Sequence, residues 1–132
     1  EWERKNFSGS ERRGKTLGII GMGRIGGEVA KRAKGFDMQI IGYDPHVTED
    51  RINSLEVDRV ELKELFRRAD FVTVHIPLTD SSRHLIDARA LDQMKEGVRI
   101  INCARGGIVK EADLVKALRS GIVAAAGMDV FE

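Results

Sequence analysis

The chain contains 132 residues, of which 42% are hydrophobic and 33% charged, with 22 Lys and Arg against 21 Asp and Glu. This size is typical of one globular domain, and the balanced, interleaved charges argue against nucleic acid or an anionic membrane as a partner. The single cysteine excludes an internal disulfide, and no apolar run approaches the roughly 18 residues of a membrane span. Because the first residues also lack the apolar stretch of a signal peptide, we expect a soluble, cytoplasmic protein.

Apolar segments alternate with amphipathic helical segments along the chain, which predicts βαβ units and a mainly parallel sheet. Strands are predicted at residues 16–20, 39–43, 57–60, 71–75, 98–102 and 122–126. Helices are predicted at residues 24–34, 61–68, 88–94 and 111–119. Gly35 and Gly121 follow the first and last of these helices, where a glycine commonly ends a helix.

A glycine-rich segment, Gly21-Met22-Gly23-Arg24-Ile25-Gly26, joins the first predicted strand to the first predicted helix. In this G-x-G-x-x-G pattern, Gly21 allows a tight turn, Gly23 lets a pyrophosphate approach the backbone, and Gly26 lets the helix pack closely on the strand. The N–H groups of Arg24 and Ile25 lie in the first helical turn, where a pyrophosphate binds. The alternative is a glycine-rich turn without a ligand. The flanking strand and helix favour an α/β Rossmann fold, a doubly wound sheet with strand order 3-2-1-4-5-6.

Asp44 ends the second predicted strand, 18 residues after Gly26. A carboxylate at this place accepts hydrogen bonds from the adenosine ribose. It also repels a 2′-phosphate, which favours NAD over NADP. The alternative is that Asp44-Pro45 is only a turn, but the glycine pattern makes the ribose role the preferred interpretation.

Three further segments follow predicted strands at the same edge of the sheet, where ligands bind in open parallel sheets. They are His75-Ile76-Pro77, Cys103-Ala104-Arg105-Gly106-Gly107 and Asp129. The guanidinium of Arg105 can bind a carboxylate through two parallel hydrogen bonds, although a single loop arginine is alternatively a solvated residue. We expect His46 and His84 to be solvated, and no spacing of His, Cys and carboxylates predicts a metal site.

Over nearly its whole length the chain resembles the NAD-binding domain of the D-2-hydroxyacid dehydrogenases. The resemblance rests on residues 2–7, 14–21, 23–26, 43–45, 74–79, 102–109 and 129–131. It implies that the backbone amides of Arg24 and Ile25 hold the pyrophosphate of NAD and that Asp44 binds the adenosine ribose. It also implies an adenine side lined by Ile76 and Pro77, a nicotinamide side bordered by Cys103, Ala104 and Arg105, and a carboxamide held by Asp129.

The same resemblance implies the chemistry of a longer, homo-oligomeric parent, an NAD-dependent oxidoreductase. In this family, the arginine matching Arg105 binds a small 2-hydroxy or 2-keto acid, and a histidine oriented by a glutamate handles the proton. This pair and the substrate-binding domain have no counterpart in residues 1–132, so we expect an excised NAD-binding core that binds cofactor and is catalytically incomplete. Asp37 stands where the family usually has glycine.

Other interpretations stay open. Some members of this family are corepressors in which NAD controls protein association. Other 2-hydroxyacid dehydrogenases act on different acids, and a glycine-rich α/β module can bind no nucleotide at all. A methyltransferase is disfavoured, because its glycine loop is not normally accompanied by an Arg-Gly-Gly loop after the fifth strand.

Overall fold

The computed structural model describes residues 14–47, 49–77, 79–102, 107–121 and 123–128. Within these ranges six strands form one sheet in the order β3-β2-β1-β4-β5-β6, and every neighbouring pair is parallel. The strands are β1 (Thr16–Ile20), β2 (Gln39–Tyr43), β3 (Asp58–Arg59), β4 (Phe71–Val74), β5 (Val98–Asn102) and β6 (Val123–Met128). The predicted doubly wound α/β fold and its strand order are therefore confirmed.

The helices of the described ranges connect successive strands and cover both faces of the sheet. They are α1 (Arg24–Lys34), α2 (Glu49–Ser54), α3 (Leu62–Arg68), α4 (Ala88–Gln93) and α5 (Glu111–Ser120). Buried residues of α1 belong to one core cluster, and buried residues of α3, α4 and α5 belong to a second. No helix of these ranges is both long and apolar enough to cross a membrane.

The strand β1 separates the two core clusters because its side chains alternate between the faces of the sheet. Leu17 and Ile19 belong to the cluster under α1, and Ile20 belongs to the other. Leu65 of α3 packs directly against Gly18. A Cβ on Gly18 would lie only 2.8 Å from the Cδ2 of Leu65, so this contact requires glycine. Full burial of a leucine stabilises the fold by roughly 1.5–3 kcal/mol, so this contact is a substantial part of the α3 interface.

The predicted boundaries agree with the observed ones to within two residues, and one helix was not predicted. β3 is only Asp58–Arg59; the flanking Val57 and Val60 are buried, and the N–H of Val60 still donates to the carbonyl of Gly42 at 2.9 Å. The helix α2 was not predicted because Ile52 is the one apolar residue among its six, so the segment shows no helical period. Its opening Glu49-Asp50 pair, which suits a first helical turn, was the available signal.

Candidate cofactor site

The last residues of five neighbouring strands form one row at the carboxyl edge of the sheet. In sheet order they are Tyr43, Ile20, Val74, Asn102 and Met128, each paired with the next. The segments predicted to bind cofactor therefore begin side by side, as the sequence predicted for this edge. Cys103, Ala104, Arg105 and Asp129 directly follow two of these strand ends but lie outside the described residues.

The loop between β1 and α1 is packed tightly against the two neighbouring strands. Gly21 has a φ of +100°, a conformation that favours glycine, and its N–H donates to the carbonyl of Tyr43 at 2.8 Å. A Cβ on Gly21 would lie 2.8 Å from the carbonyl carbon of His75. Both the backbone conformation and the packing therefore require glycine here, in agreement with the predicted tight turn.

The other two glycines of the pattern have contrasting surroundings. A Cβ on Gly26 would overlap the carbonyl oxygen of Gly21, because α1 begins very close to the loop. A Cβ on Gly23 would meet nothing within 4 Å, so the backbone is open to solvent at that residue. This contrast supports close packing at Gly26 and the approach of a ligand at Gly23.

The amino end of α1 favours an anion. The first N–H groups of a helix have no acceptor within the helix, and the aligned peptide dipoles give that end a partial positive charge. The first turn of α1 contains no acidic residue, and Lys31, Arg32 and Lys34 lie in its last turn. The backbone N–H groups of Arg24 and Ile25 are therefore suited to a phosphate group.

Asp44 follows β2 directly and its side chain is nearly buried, with 8% exposed. Its Oδ2 accepts a hydrogen bond from the N–H of Met22 at 2.8 Å, and its Oδ1 accepts one from the N–H of His46 at 2.8 Å. The carboxylate thus forms the turn after β2 and also ties that turn to the glycine loop. Each oxygen has about two lone-pair sites, so each can still accept a ribose hydroxyl.

Met22 contributes to the site although no role was predicted for it. Its side chain is fully buried, and its Sδ lies 2.8 Å from where a Cβ on Gly42 would be. The side chain therefore anchors the loop in the core while the backbone N–H is held by Asp44. An apolar residue between the first two glycines of the pattern was the only signal in the sequence.

A cleft of about 210 Å³ lies between the turn after β2 and the chain that leaves β4. Its lining consists of Tyr43, Pro45, His46, Ile76, Pro77, Thr79, Ser81, Ser82 and Leu85. Ile76 and Pro77, the residues expected on the adenine side, thus face the same cleft as the residues flanking Asp44. A concave, partly apolar surface next to a carboxylate suits a base that is linked to a ribose. His46 is exposed as expected, but His84 is half-buried, because its loop closes onto Gly107.

A second cavity, of about 250 Å³, lies at the opposite edge of the sheet and includes Lys15, Asp70 and Lys95. The carboxylate of Asp70 accepts a hydrogen bond from the N–H of Thr16 at 2.9 Å and pairs with Lys95 at 3.2 Å. These contacts hold the beginnings of the strands together. The cavity is therefore separate from the edge where ligands bind in such sheets.

The fold, the glycine loop at a helix amino end and the buried acid after β2 together define a dinucleotide-binding domain. The chain belongs to the D-isomer specific 2-hydroxyacid dehydrogenase family, NAD binding domain, whose profile matches residues 1–132. NAD is accordingly the cofactor of this domain, and the resemblance seen in the sequence is confirmed.

Curated relatives and solved structures agree with this assignment. The chain is 51% identical over 133 residues to the D-3-phosphoglycerate dehydrogenase of Methanocaldococcus jannaschii. The aligned region covers 100% of this chain and 25% of that protein. It is 51% identical over 132 residues to the hydroxypyruvate reductase of Thermotoga maritima, covering 100% of this chain and 42% of that protein. The structure of the D-lactate dehydrogenase of Aquifex aeolicus complexed with NAD and lactic acid matches with a TM-score of 0.83 and 37% identity, over 89% of this chain and 35% of that one.

Proposed function

We propose that the chain is the NAD(H)-binding domain of a D-2-hydroxyacid dehydrogenase that oxidises 3-phosphoglycerate to 3-phosphohydroxypyruvate in serine biosynthesis. Support for the substrate comes from the sequence of Tyr43-Asp44-Pro45 and of residues 102–107, and from relatives such as the archaeal D-3-phosphoglycerate dehydrogenase. Bound NAD supplies a hydride acceptor for the C2 position of such a substrate. The proposed parent protein is cytoplasmic and homo-oligomeric, and residues 1–132 are its cofactor-binding core.

The observation that carries the domain's part of the proposal is the bridge that Asp44 forms between β2 and the glycine loop. A carboxylate that suits the ribose thus lies next to a helix end that suits an anion and next to a cleft of about 210 Å³ that suits a base. The proposed assignments are the backbone of Gly23, Arg24 and Ile25 for the pyrophosphate, Asp44 for the ribose, and Ile76 and Pro77 for the adenine. For the nicotinamide half they are Cys103, Ala104, Arg105 and Asp129, with Arg105 also binding the substrate carboxylate.

A titration of the purified chain with NADH tests the domain's function. We expect nicotinamide fluorescence and the heat of binding to saturate, because the pyrophosphate, ribose and adenine positions lie within this chain. In the complete enzyme a second domain closes over the nicotinamide and excludes water, so the affinity of the chain alone is expected to be lower. The absence of any signal up to millimolar NADH would contradict the proposal.

Asp44 is expected to make the chain prefer NADH over NADPH. In the Asp44→Ala variant, the affinity for NADH should fall by roughly 1–3 kcal/mol, the effect of leaving hydrogen-bonding groups without a partner. The Asp44→Asn variant keeps one acceptor oxygen and removes the charge, so its affinities for NADH and for NADPH should converge. Calorimetric titrations with both dinucleotides measure these differences, and unfolding midpoints separate them from damage to the loop. Equal affinities in the unsubstituted chain would leave Asp44 as a turn residue only.

A related activity is a second candidate for the parent, since the hydroxypyruvate reductase of Thermotoga maritima is 51% identical to this chain. The two candidates differ in whether the substrate carries a phosphate. Comparing kcat/KM for 3-phosphohydroxypyruvate and hydroxypyruvate in the complete parent protein distinguishes them.

A further inference from the structure

The chain that leaves β4 folds into a compact loop around the side chain of Ser82. We call Pro77 together with residues 79–86 the Ser82 loop. Ser82 is almost completely buried, with 3% exposed. Its Oγ donates a hydrogen bond to the carbonyl of Pro77 at 2.7 Å and accepts one from the N–H of Thr79 at 2.8 Å. The hydroxyl therefore connects two residues that precede it in the chain.

The two residues that Ser82 connects form part of the cleft wall. Pro77 and Thr79 both line the cleft beside Ile76. Proline has no backbone N–H, so its carbonyl is the only backbone group through which hydrogen bonds can hold it in place. That carbonyl accepts the hydrogen bond from Ser82, which also lines the cleft, so the position of Pro77 in the wall depends on this buried hydroxyl.

The far end of the Ser82 loop is held independently of this hydroxyl. The N–H of His84 donates to the carbonyl of Gly107 at 2.7 Å, and the N–H of Ile86 donates to the carbonyl of Ile108 at 3.1 Å. The near end continues from β4, which is paired with strands on both sides. Removal of the Ser82 hydroxyl should therefore release the wall between two fixed ends without unfolding the sheet.

We propose that Ser82 is a positioning residue for the adenine end of the dinucleotide, a role that rests on the proposed function. Its two close hydrogen bonds, to Pro77 and Thr79, hold the cleft wall in its binding arrangement before the ligand arrives. A binding surface that is already ordered avoids the entropy loss of becoming ordered on binding. Ser82 thus raises affinity by acting on the wall and not by recognising the base.

The test compares variants of the full 132-residue chain by calorimetric titration with AMP and with NADH. For Ser82→Ala we expect both affinities to fall about tenfold, equivalent to ~1.4 kcal/mol. Ser120→Ala is the matched control, because Ser120 is exposed, does not line the cleft, and its hydroxyl also donates to a backbone carbonyl, that of Ala117, at 3.1 Å. This control should bind both ligands like the unsubstituted chain, and Ser82→Thr, which keeps the hydroxyl, should recover most of the affinity.

A second control separates positioning from general stability. Phe66→Leu removes volume from the core under α3 and should lower the unfolding temperature without changing either dissociation constant. If Ser82→Ala behaves in the same way, with a lower unfolding temperature and unchanged affinities, the inference is overturned. If Ser82→Ala does not fold, Ser82→Cys replaces it, because a thiol is a weaker hydrogen-bonding group than a hydroxyl. Its AMP affinity should fall, but by less than the tenfold expected for Ser82→Ala. Full AMP affinity in Ser82→Cys overturns the inference. Failure of the unsubstituted chain to bind NADH contradicts the proposed function instead.

Discussion

Replacement of Gly26 by alanine is expected to destabilise the folded chain and to abolish measurable NADH binding. The added Cβ would overlap the carbonyl oxygen of Gly21, so α1 must move away from the loop. Overpacking of this kind costs about 1–3 kcal/mol and occasionally more. The displaced helix end and loop would no longer present their N–H groups together, which removes the binding site for the pyrophosphate.

The variant Gly23→Ala provides the comparison. The φ of Gly23 is −72°, outside the left-handed region that favours glycine, and the new methyl group meets no atom within 4 Å. Stability should therefore fall by only about 0.5–1 kcal/mol, because alanine is a poorer residue than glycine before a helix. NADH affinity should nevertheless fall roughly 100-fold, or ~2.8 kcal/mol, because the methyl group occupies the space through which the pyrophosphate approaches. Chemical unfolding and calorimetry measure the two effects, and unchanged NADH affinity in Gly23→Ala would refute the assignment of the loop.

The second large effect concerns catalysis: a polypeptide of these 132 residues should bind NADH and yet give no detectable reduction of 3-phosphohydroxypyruvate. Reduction of a 2-keto acid leaves an alkoxide that must gain a proton, and general acid–base catalysis typically contributes about 10²–10⁴-fold. For this step the family resemblance implies a histidine oriented by a glutamate, and we expect both to lie outside these 132 residues. Orientation of the substrate carbonyl, which is often a larger contribution, also requires more than Arg105.

Loss of nicotinamide absorbance, followed at saturating NADH, measures this turnover. In the complete parent protein activity should be present, and Arg105→Ala should depress it severely. Robust turnover by the 132 residues would instead implicate a proton donor within them, with His75 and His84 as the first residues to substitute.

Features that repeat along the chain could be predicted from the sequence. The strands, their order, the tight turn at Gly21 and the close packing at Gly26 follow from the alternation of apolar runs and from one local pattern. Contacts between residues far apart in the chain could not be predicted, because they produce no periodic pattern in the sequence. Asp44 and Met22 are 22 residues apart, so neither the bridge between them nor the anchoring of Met22 under Gly42 could be seen in advance.

Asp37 shows a local departure that the structure explains. Its φ is +57°, in the left-handed region where glycine has no steric penalty and aspartate is among the better tolerated residues. Its carbonyl accepts a hydrogen bond from the N–H of Gly14 at 3.1 Å, just before β1 begins. The left-handed backbone at this position explains why glycine is usual there in the family and why aspartate can replace it, which the sequence pattern alone did not reveal.

The isolated parallel bridge between Ile86 and Val109 bears on the design of chimaeras between this domain and its homologues. The carbonyl of Ile86 also accepts a hydrogen bond from the N–H of Lys110 at 2.8 Å, so the loops that follow β4 and β5 are joined into one unit. Recombination crossovers between residues 87 and 107 would separate the two halves of this unit and pair loops that did not evolve together. Chimaeras that aim to change substrate preference should therefore transfer residues 77–110 as one block.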